Sequence, residues 1–356
     1  MNKTSGILIE DGLNLYQKTG QGQYTQNLYD ILVEMGYSVE MKRKPFLERI
    51  KDSTIKRILY ILWINFVFPI LVMFKNADII IFTNTLTPFY KIPNKKYYPV
   101  LHDLWAYKSP ETVTFIQSLY TRIVIASIKY TYEKIITVSE TVKQEIVDFF
   151  NCSEEDVKVI YNSFSFGEKP VLNYSEEDQL RILGKYNIKS KKYILSVATL
   201  NKRKNIPMLT DAYNQLDSDI KLVLAGKASS ESFNCNNQNI IFTGYLSDEE
   251  LKVLYKHALL YVFPSVYEGF GIPIIDAQAF GIPVLCSDIP VFKEIAGKGA
   301  EFFELNTPDI VKKIRTLLQD NYKKNLLVQN GYKNIQKFLS SQIKKQAAML
   351  LESNDV

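Results

Sequence analysis

Two successive rounds of apolar runs and helical patterns, separated by a polar stretch, constrain the fold of this 356-residue chain more than any other feature. The first round includes the strand-like runs Ile7–Ile9, Asp78–Phe82 and Tyr97–Leu101, and the second begins at Tyr193–Val197. Short apolar runs that alternate with helices are typical of parallel sheets covered by helices. The sequence therefore predicts an α/β protein with two doubly wound domains that face one cleft.

The polar stretch around residues 162–190 marks the predicted boundary between these domains. Asn, Ser, Gly, Glu and Lys dominate it, and it contains the turn-forming segment Gly167–Pro170. We predict a first domain over residues 1–168 and a second domain over residues 169–335. Apolar residues recur at helical spacing between Tyr332 and Leu351, which predicts a helix at the end of the chain.

The bulk composition predicts a folded protein and disfavours several partners. Hydrophobic residues make up 46% of the chain and charged residues 23%, and the net charge of +5 is mild for this length. No nucleic-acid-binding signature accompanies that charge, so nucleic acid is not an expected partner. Three widely separated cysteines and the lack of an apolar leader before Ile7 favour a reducing, cytoplasmic location.

The segment 264–277 combines a strand end, a glycine-rich turn and a helix start with two carboxylates, Glu268 and Asp276. Gly269 and Gly271 let the backbone approach a ligand just before a helix, whose first N–H groups are unpaired and attract phosphate. Glu268 can hold neutral hydroxyls, and Asp276, about two turns into the helix, can reach a more distant part of the same ligand. This arrangement predicts a site for a sugar nucleotide.

Further motifs occur in a fixed order along nearly the whole chain: Thr19–Tyr24, Leu101–Leu104, Thr137–Ser139, Val159–Asn162, Ser196–Leu200, Arg203–Asn205, Leu224–Gly226 and Phe242–Tyr245. Together with the segment 264–277 they resemble the family 4 (group 1) retaining glycosyltransferases, which have the GT-B architecture. The resemblance implies two Rossmann-like domains facing an interdomain cleft, the first binding the acceptor and the second the nucleotide sugar. It also implies that the last helix, within residues 336–356, returns to the N-terminal domain. The family usually has Glu where this chain has the shorter Asp276.

Specific roles follow from the resemblance. Arg203 and Lys204 would neutralise the diphosphate leaving group, while Glu268 would hold hydroxyls of the donor sugar. The backbone N–H groups of Phe270 and Gly271 would lie near the sugar and its phosphate. The other donor-binding residues that the resemblance implies are Gly20, Gly22, Gly244, Tyr245, Gly269 and Asp276.

His102 follows the run Tyr97–Leu101 at its carboxyl end, where the cleft is expected. The resemblance implies a retaining mechanism in which the departing diphosphate takes the acceptor proton, so His102 would orient the sugar or stabilise charge at the anomeric carbon. We expect no metal and no cofactor besides the donor, because Arg203 and Lys204 supply positive charge and two histidines cannot form a zinc site. The segment Asp217–Asp219 matches a D-x-D metal pattern, but it precedes a strand and so lies at the wrong end of the sheet.

From the residues alone, a structural role stays open for each of these positions. Arg203 and Lys204 could belong to a solvated basic patch, and Glu268 could be an acid favoured by a helix start. Gly20 could belong to a plain turn before a helix. His102 could be an ordinary loop histidine.

Residues 58–74 are apolar except for Asn65, and they follow a basic segment, residues 42–57, with a net charge of +5. This combination could rest on an anionic membrane surface at the inner face of the cell membrane. The alternatives are a buried helix beside a solvated basic loop, and a spanning helix, for which 17 residues are few.

The expected activity is transfer of a hexose such as mannose from a nucleoside-diphosphate sugar to a saccharide or lipid-linked saccharide. The expected setting is bacterial surface polysaccharide synthesis, of capsule or lipopolysaccharide. A nucleotide-sugar epimerase or hydrolase of GT-B fold and a catalytically silent GT-B scaffold subunit are the alternatives. A nicotinamide-dependent dehydrogenase is disfavoured, because Gly20 and Gly22 are not part of a full G-x-G-x-x-G motif.

Overall fold

The structure is a computed structural model of the chain, and it divides the chain into two compact units. The residues it describes are 6–12, 19–42, 47, 50, 53–84, 87–109, 119–120, 122–124, 127, 131–199, 202–226 and 237–352. One unit comprises Met1–Ser163 with Ser340–Val356, and the other comprises Phe164–Leu339. The predicted boundaries, after residues 168 and 335, lie a few residues to either side of these divisions.

The described part of the first unit contains a sheet of six parallel strands, in the order β2-β1-β3-β4-β5-β6. Its strands are β1 (Gly6–Glu10), β2 (Ser38–Lys42), β3 (Ile79–Phe82), β4 (Lys96–Leu101), β5 (Ile135–Thr137) and β6 (Val157–Val159). Every residue of β1 and β3 is buried, which explains why these strands read as continuous apolar runs. The sequence analysis did not predict β6, a short strand at the edge of the sheet.

The first unit contains the helices α1 (Gly20–Glu34), α2 (Ser53–Leu62), α3 (Phe68–Met73), α4 (Trp105–Lys108) and α5 (Glu140–Phe150). Two of these described helices, α1 and α5, begin at a side-chain cap. At α5 the Ser139 side chain accepts a hydrogen bond from the Val142 N–H at 3.2 Å, and the helix ends at Asn151 in the left-handed conformation. Ser139, the last residue of the motif Thr137–Ser139, is therefore the N-cap of α5.

Helices α2 and α3 join through a π-helical turn, Trp63–Val67, into one helical stretch. Pro69 has no N–H to donate to the carbonyl of Asn65, and the Tyr90 hydroxyl donates to that carbonyl instead. The Asn65 side chain donates to the Ile61 carbonyl and to the Tyr120 hydroxyl, both at 2.8 Å. The one polar residue in the apolar segment is thus buried and hydrogen-bonded.

The second unit contains another six-stranded parallel sheet within its described residues, in the order β12-β11-β10-β7-β8-β9. Its strands are β7 (Tyr193–Val197), β8 (Lys221–Ala225), β9 (Ile240–Gly244), β10 (Leu260–Phe263), β11 (Val284–Ser287) and β12 (Ala300–Phe303). Its helices are α6 (Glu176–Lys185), α7 (Ile206–Asn214), α8 (Asp248–His257), α9 (Ile272–Ala279), α10 (Pro290–Ala296), α11 (Thr307–Gln319) and α12 (Asn321–Asn334). Apolar side chains from the strands and from α7 and α11 form its core.

Helix α6 lies inside the polar stretch that the sequence analysis read as a linker. Ser175 caps it by accepting a hydrogen bond from the Asp178 N–H at 3.1 Å. The helix buries only Gln179 and Leu183, so its apolar stripe is too narrow to show in the sequence pattern. The part of the polar stretch without regular secondary structure is therefore shorter than predicted.

The single helix predicted between Tyr332 and Leu351 is wrong in extent. Helix α12 is followed by a 3₁₀ turn, Ile335–Phe338, and by Leu339 in an extended conformation, before α13 (Ser340–Glu352) begins. Two serines open α13, and serine favours helix starts over helix interiors. In the first unit α13 packs on α1 and pairs Lys344 with Glu34, which confirms a last helix that returns to the N-terminal domain.

Candidate functional site

The second sheet reverses its strand order between β10 and β7, and the predicted cations and acid follow these two strands. Arg203 and Lys204 lie in a 3₁₀ turn after β7, and Glu268 lies in the loop after β10. Ligands of open parallel sheets bind at the carboxyl ends of strands where the order reverses. The fold therefore places the three side chains where a ligand site is expected.

Glu268 forms ion pairs with both cations. Its carboxylate contacts the Lys204 ammonium directly, and its Oε2 lies 3.8 Å from an Arg203 guanidinium nitrogen. The Val266 N–H donates to the Arg203 carbonyl at 2.9 Å, which ties the loop after β10 to the loop after β7. The Lys204 ammonium also lies 4.9 Å from the centre of the Phe263 ring, a cation–π contact. Sequence reasoning predicted each charge but not their mutual pairing.

Burial and charge act in opposite directions on Glu268. Burial alone would raise the pKa of this carboxyl, but the charges of Lys204 and Arg203 outweigh it and hold the pKa below its usual value. Glu268 is therefore ionised at neutral pH. With two cations and one acid, this cluster carries a net charge of +1.

Gly271 is the N-cap residue of α9, the helix that follows this cluster. It precedes α9 with φ 111°, in the left-handed region that favours glycine. A Cβ atom there would lie 3.1 Å from Cε1 of the Phe292 ring, so the turn fits only glycine closely. Next to it the Phe270 ring is buried edge-to-face against Phe338, 5.4 Å away. The glycine-rich turn predicted around Gly269 is thus a rigid connection between strand and helix.

Asp276 is buried inside α9, and its carboxylate accepts a hydrogen bond from the protein backbone. The Ser165 N–H donates to Asp276 Oδ1 at 2.8 Å. Burial raises the pKa of this carboxyl to about 7, although hydrogen bonds from Ser165 oppose the shift. Ribose binding by Asp276 stays a prediction.

Gly244 is the last residue of strand β9, and Tyr245 follows it. Gly244 has φ 70°, a conformation that allows the sharp turn after the strand. The Tyr245 side chain is exposed. Both residues therefore lie at the carboxyl end of β9, on the same edge of the second sheet as Arg203 and Lys204. Their predicted contact with a nucleotide base stays a prediction.

In the first unit, His102 lies directly after β4 and is buried. Its Nε2 is 3.1 Å from the Thr83 carbonyl, which can only accept, so Nε2 carries the hydrogen and Nδ1 can accept one. The Tyr24 ring packs edge-on against the imidazole at 5.1 Å. Burial lowers the pKa of His102, so the ring is neutral at pH 7.

A buried carboxylate, Glu10, lies on the same sheet edge as His102 and was missed in the sequence. It is the last residue of β1 and accepts hydrogen bonds from the Tyr60 hydroxyl at 2.7 Å and from the Gly12 N–H at 3.0 Å. The Thr83 N–H donates to the Glu10 carbonyl at 3.0 Å, which joins Glu10 to His102 through Thr83. An acid that ends the first apolar strand was the available signal.

Gly20 and Gly22 lie in the first turn of α1, which begins at Gly20, and not in a plain turn before the helix. Thr19 caps this helix, and its hydroxyl accepts a hydrogen bond from the Gly22 N–H at 3.2 Å. Glycine at these two positions leaves the backbone there without a side chain. Their role in donor binding stays a prediction.

The described residues contain no group of three His, Cys, Asp or Glu side chains that could hold a metal ion. The D-x-D segment at Asp217–Asp219 lies just before β8, at the amino end of that strand. It is therefore remote from the carboxyl edge that carries Glu268.

Comparison with known proteins finds a family match within the second unit. Residues 178–334, most of the second unit, match the family described as glycosyl transferases group 1. This match confirms the resemblance to the group 1 glycosyltransferases that the motifs of the chain indicate.

Two bacterial mannosyltransferases are among its relatives. The chain is 28% identical over 285 residues to the O-antigen chain mannosyltransferase RfbU of Salmonella typhimurium, covering 76% of this chain and 73% of that protein. It is 31% identical over 202 residues to the serotype-specific mannosyltransferase WbdA of Escherichia coli, covering 52% of this chain. The chain spans about a quarter of the length of WbdA, 24%.

A solved structure with a similar fold is HepE of Anabaena in complex with UDP and glucose. It superposes with a TM-score of 0.72 at 17% sequence identity, covering 98% of this chain and 100% of that chain. At this identity the likeness concerns the fold. The predicted GT-B fold is confirmed.

Proposed function

We propose that this protein is a retaining, metal-independent transferase that moves a hexose from a nucleoside-diphosphate sugar to a saccharide or lipid-linked saccharide. Bacterial surface polysaccharide synthesis is the proposed setting. The mannosyltransferase relatives make mannose the first candidate for the sugar. The UDP and glucose bound to HepE support a nucleotide sugar as the donor.

The observation that carries the proposal is the ion-paired cluster of Arg203, Lys204 and Glu268 at the strand-order reversal of the second sheet. A nucleoside-diphosphate sugar needs positive charge for its diphosphate and acceptor oxygens for its sugar hydroxyls. The two cations supply the first, and the ionised Glu268 supplies the second. Three charged side chains that are largely buried and held by neighbouring loops are pre-organised for such a ligand.

In the proposed reaction the bond between the anomeric carbon and the diphosphate oxygen breaks as the acceptor oxygen approaches from the same face. The departing diphosphate oxygen takes the proton of the acceptor hydroxyl, and the new glycosidic bond keeps the anomeric configuration. Arg203 and Lys204 stabilise the negative charge that grows on the diphosphate. Because these cations supply the charge, no divalent ion is needed in the proposed step.

His102 is the proposed contribution of the first unit to this reaction. With Nε2 engaged by the Thr83 carbonyl, the neutral ring can present Nδ1 as an acceptor for a sugar hydroxyl. The role is orientation rather than general base catalysis, because the diphosphate already accepts the proton.

Incubation with a panel of GDP-, UDP- and ADP-hexoses and mannose-terminated acceptors tests the proposal. We expect release of nucleoside diphosphate that depends on the acceptor and persists in EDTA, with a product of retained anomeric configuration by NMR. Release of free sugar without acceptor would instead indicate a hydrolase, and a new nucleotide sugar would indicate an epimerase. Binding without turnover across the panel would favour a scaffold subunit.

A matched pair of variants assigns the activity to the cluster. Glu268→Gln keeps the side-chain size but removes the charge, and we expect turnover to fall about 10²- to 10³-fold. Glu177→Gln makes the same change at an exposed position on α6 and should leave turnover within about twofold. Equal turnover in the two variants would remove Glu268 from the proposed site.

A further inference from the structure

The helical stretch Ser53–Met73 exposes one apolar face while it buries the other. Its inner face places Tyr60, Trp63 and Phe68 in the core of the first unit. Its outer face and the residue that follows it carry ten large apolar side chains that are each at least 37% exposed: Ile55, Ile58, Leu59, Leu62, Phe66, Val67, Ile70, Leu71, Met73 and Phe74. Contiguous exposed apolar surface of this kind marks an interaction site in a folded protein.

The inner face fixes this stretch to the sheet. The Tyr60 hydroxyl donates to buried Glu10, and the Asn65 amide donates to the Tyr120 hydroxyl. The rings of Trp63 and Phe68 lie 5.3 Å apart, and Phe68 contacts Phe82 of β3 at 5.8 Å. Moving the helix out of the fold would break all of these contacts.

The segment passes the composition test for a membrane-spanning helix, since Thr54–Met73 has 20 residues and contains an 18-residue window with a mean hydropathy of 1.8. However, 39% of that window is buried in the protein. A helix that keeps one side in a protein core can offer only its other side to lipid. The geometry therefore favours a helix that lies in the plane of a membrane over one that crosses it.

The charged residues at the start of the helical stretch are all basic. No Asp or Glu occurs between Ser53 and Ala77 in the sequence, and Lys56 and Arg57 lie in the first turns of α2. The preceding segment, residues 42–57, has seven basic and two acidic residues, a net charge of +5. Of these, Arg43, Lys44, Glu48, Arg49, Lys51 and Asp52 lie outside the described residues. A basic margin beside an apolar strip is the complement of an anionic lipid surface.

We propose that the outer face of the stretch Ser53–Phe74 inserts into the interfacial layer of a membrane that contains anionic lipid. The apolar side chains contact the acyl region, and Lys56 and Arg57 contact lipid phosphates. The surface belongs to the first unit alone and needs no donor or acceptor, so it stands or falls independently of the proposed transferase reaction.

Co-flotation of the full chain with vesicles tests this inference. Vesicles of 30% phosphatidylglycerol in phosphatidylcholine are compared with pure phosphatidylcholine, at low and high salt. We expect binding to the anionic vesicles that weakens in high salt, because surface charge is screened, while alkaline extraction releases the protein. No binding to anionic vesicles would overturn the inference, and resistance to alkaline extraction would indicate a spanning helix instead.

Two double variants locate the contact. Phe66→Gln with Ile70→Gln changes side chains that are 63% and 58% exposed, so the fold should be kept, and we expect at least about a tenfold loss of vesicle partitioning. Val171→Gln with Leu180→Gln changes equally exposed apolar residues of the second unit and should bind like the wild type.

Oligomeric state separates lipid from a second copy of the chain as the occupant. Sedimentation of the wild type without lipid should give a monomer with the face intact. A dimer that the Phe66 and Ile70 changes convert to monomer, without vesicle binding by the wild type, would identify the face as a protein interface and overturn the inference.

Discussion

The two sheets differ most at their carboxyl edges. Numbered within its own unit, the second sheet has the strand order 3-2-1-4-5-6 of dinucleotide-binding folds, and the first sheet has the order 2-1-3-4-5-6. Each therefore reverses beside its first strand and offers a ligand site there. The first edge has buried Glu10 and a neutral His102 joined through Thr83, whereas the second has two cations paired with Glu268.

This difference teaches that similar frameworks can be made complementary to opposite kinds of group. In the proposed function, the net positive charge of the second edge attracts the diphosphate of the donor. Hydroxyl groups of a sugar suit the first edge, where Nδ1 of the neutral His102 ring can accept a hydrogen bond. In the proposed function, the different charges of the two edges, more than their topology, assign the diphosphate to one unit and sugar hydroxyls to the other.

The largest effect is expected when the positive charge of the second edge is removed. In Lys204→Met, Glu268 stays buried with only the more distant Arg203, so we expect a loss of about 3 kcal/mol in the free energy of unfolding. We also expect the thermal stabilisation by nucleoside diphosphates to disappear, because affinity falls about 10²-fold or more. Differential scanning fluorimetry with and without GDP and UDP measures both.

A double variant separates these two effects. Lys204→Met with Glu268→Gln removes both charges, so stability should recover to within about 1 kcal/mol of the wild type. Diphosphate binding should stay lost. Recovery of diphosphate binding in the double variant would contradict the assignment of the diphosphate to this edge.

A smaller effect is expected at the first edge. We expect His102→Ala to lower turnover about 10- to 10²-fold while leaving the thermal shift with nucleoside diphosphate unchanged, because His102 is assigned to the sugar. Since burial lowers the pKa of His102, the neutral ring persists as pH falls through 6.5, and activity that needs it declines only in more acidic solution. A pH–rate profile of the wild type checks this, and equal loss of diphosphate binding in His102→Ala would erase the contrast between the edges.

The interior of each sheet could be predicted from the sequence because continuous apolar runs leave few alternatives. Strands β3 and β7 were predicted within one residue of their observed bounds, and β3 is buried throughout. Strands β6 and β12 were missed, since edge strands of three or four residues with polar positions carry little pattern. Helix α6 was missed for a similar reason.

The candidate site could be predicted one residue at a time but not as a set of contacts. The family motifs single out Arg203, Lys204 and Glu268, yet their pairing depends on two loops 64 positions apart. The hydrogen bond between Ser165 and Asp276 joins residues 111 positions apart, and no local pattern records it. The link from Glu10 through Thr83 to His102 is equally non-local, because parallel sheets bring distant segments together.

Asp276 gives the smallest and most specific test of the contrast, because its ionisation would weaken the positive charge of the second unit. Both Asp276 and Glu268 act electrostatically on Tyr261, so they share one neighbourhood. The pKa of Asp276 is raised by burial to about 7, so its protonated form favours folding most at acidic pH, and this contribution is lost as pH rises through about 7.

Between pH 6 and pH 8.5 the wild type should therefore lose about 1 kcal/mol of unfolding free energy through this group. In Asp276→Asn, which cannot ionise, that part of the pH dependence should vanish, and the melting temperature should change by about 2 to 4 °C less over the same range. Asp211→Asn, at an exposed position on α7, is the control and should follow the wild type. If the melting temperatures of all three proteins depend on pH in the same way, Asp276 is already ionised at pH 6. The second edge would then combine the two cations Arg203 and Lys204 with two acids rather than one.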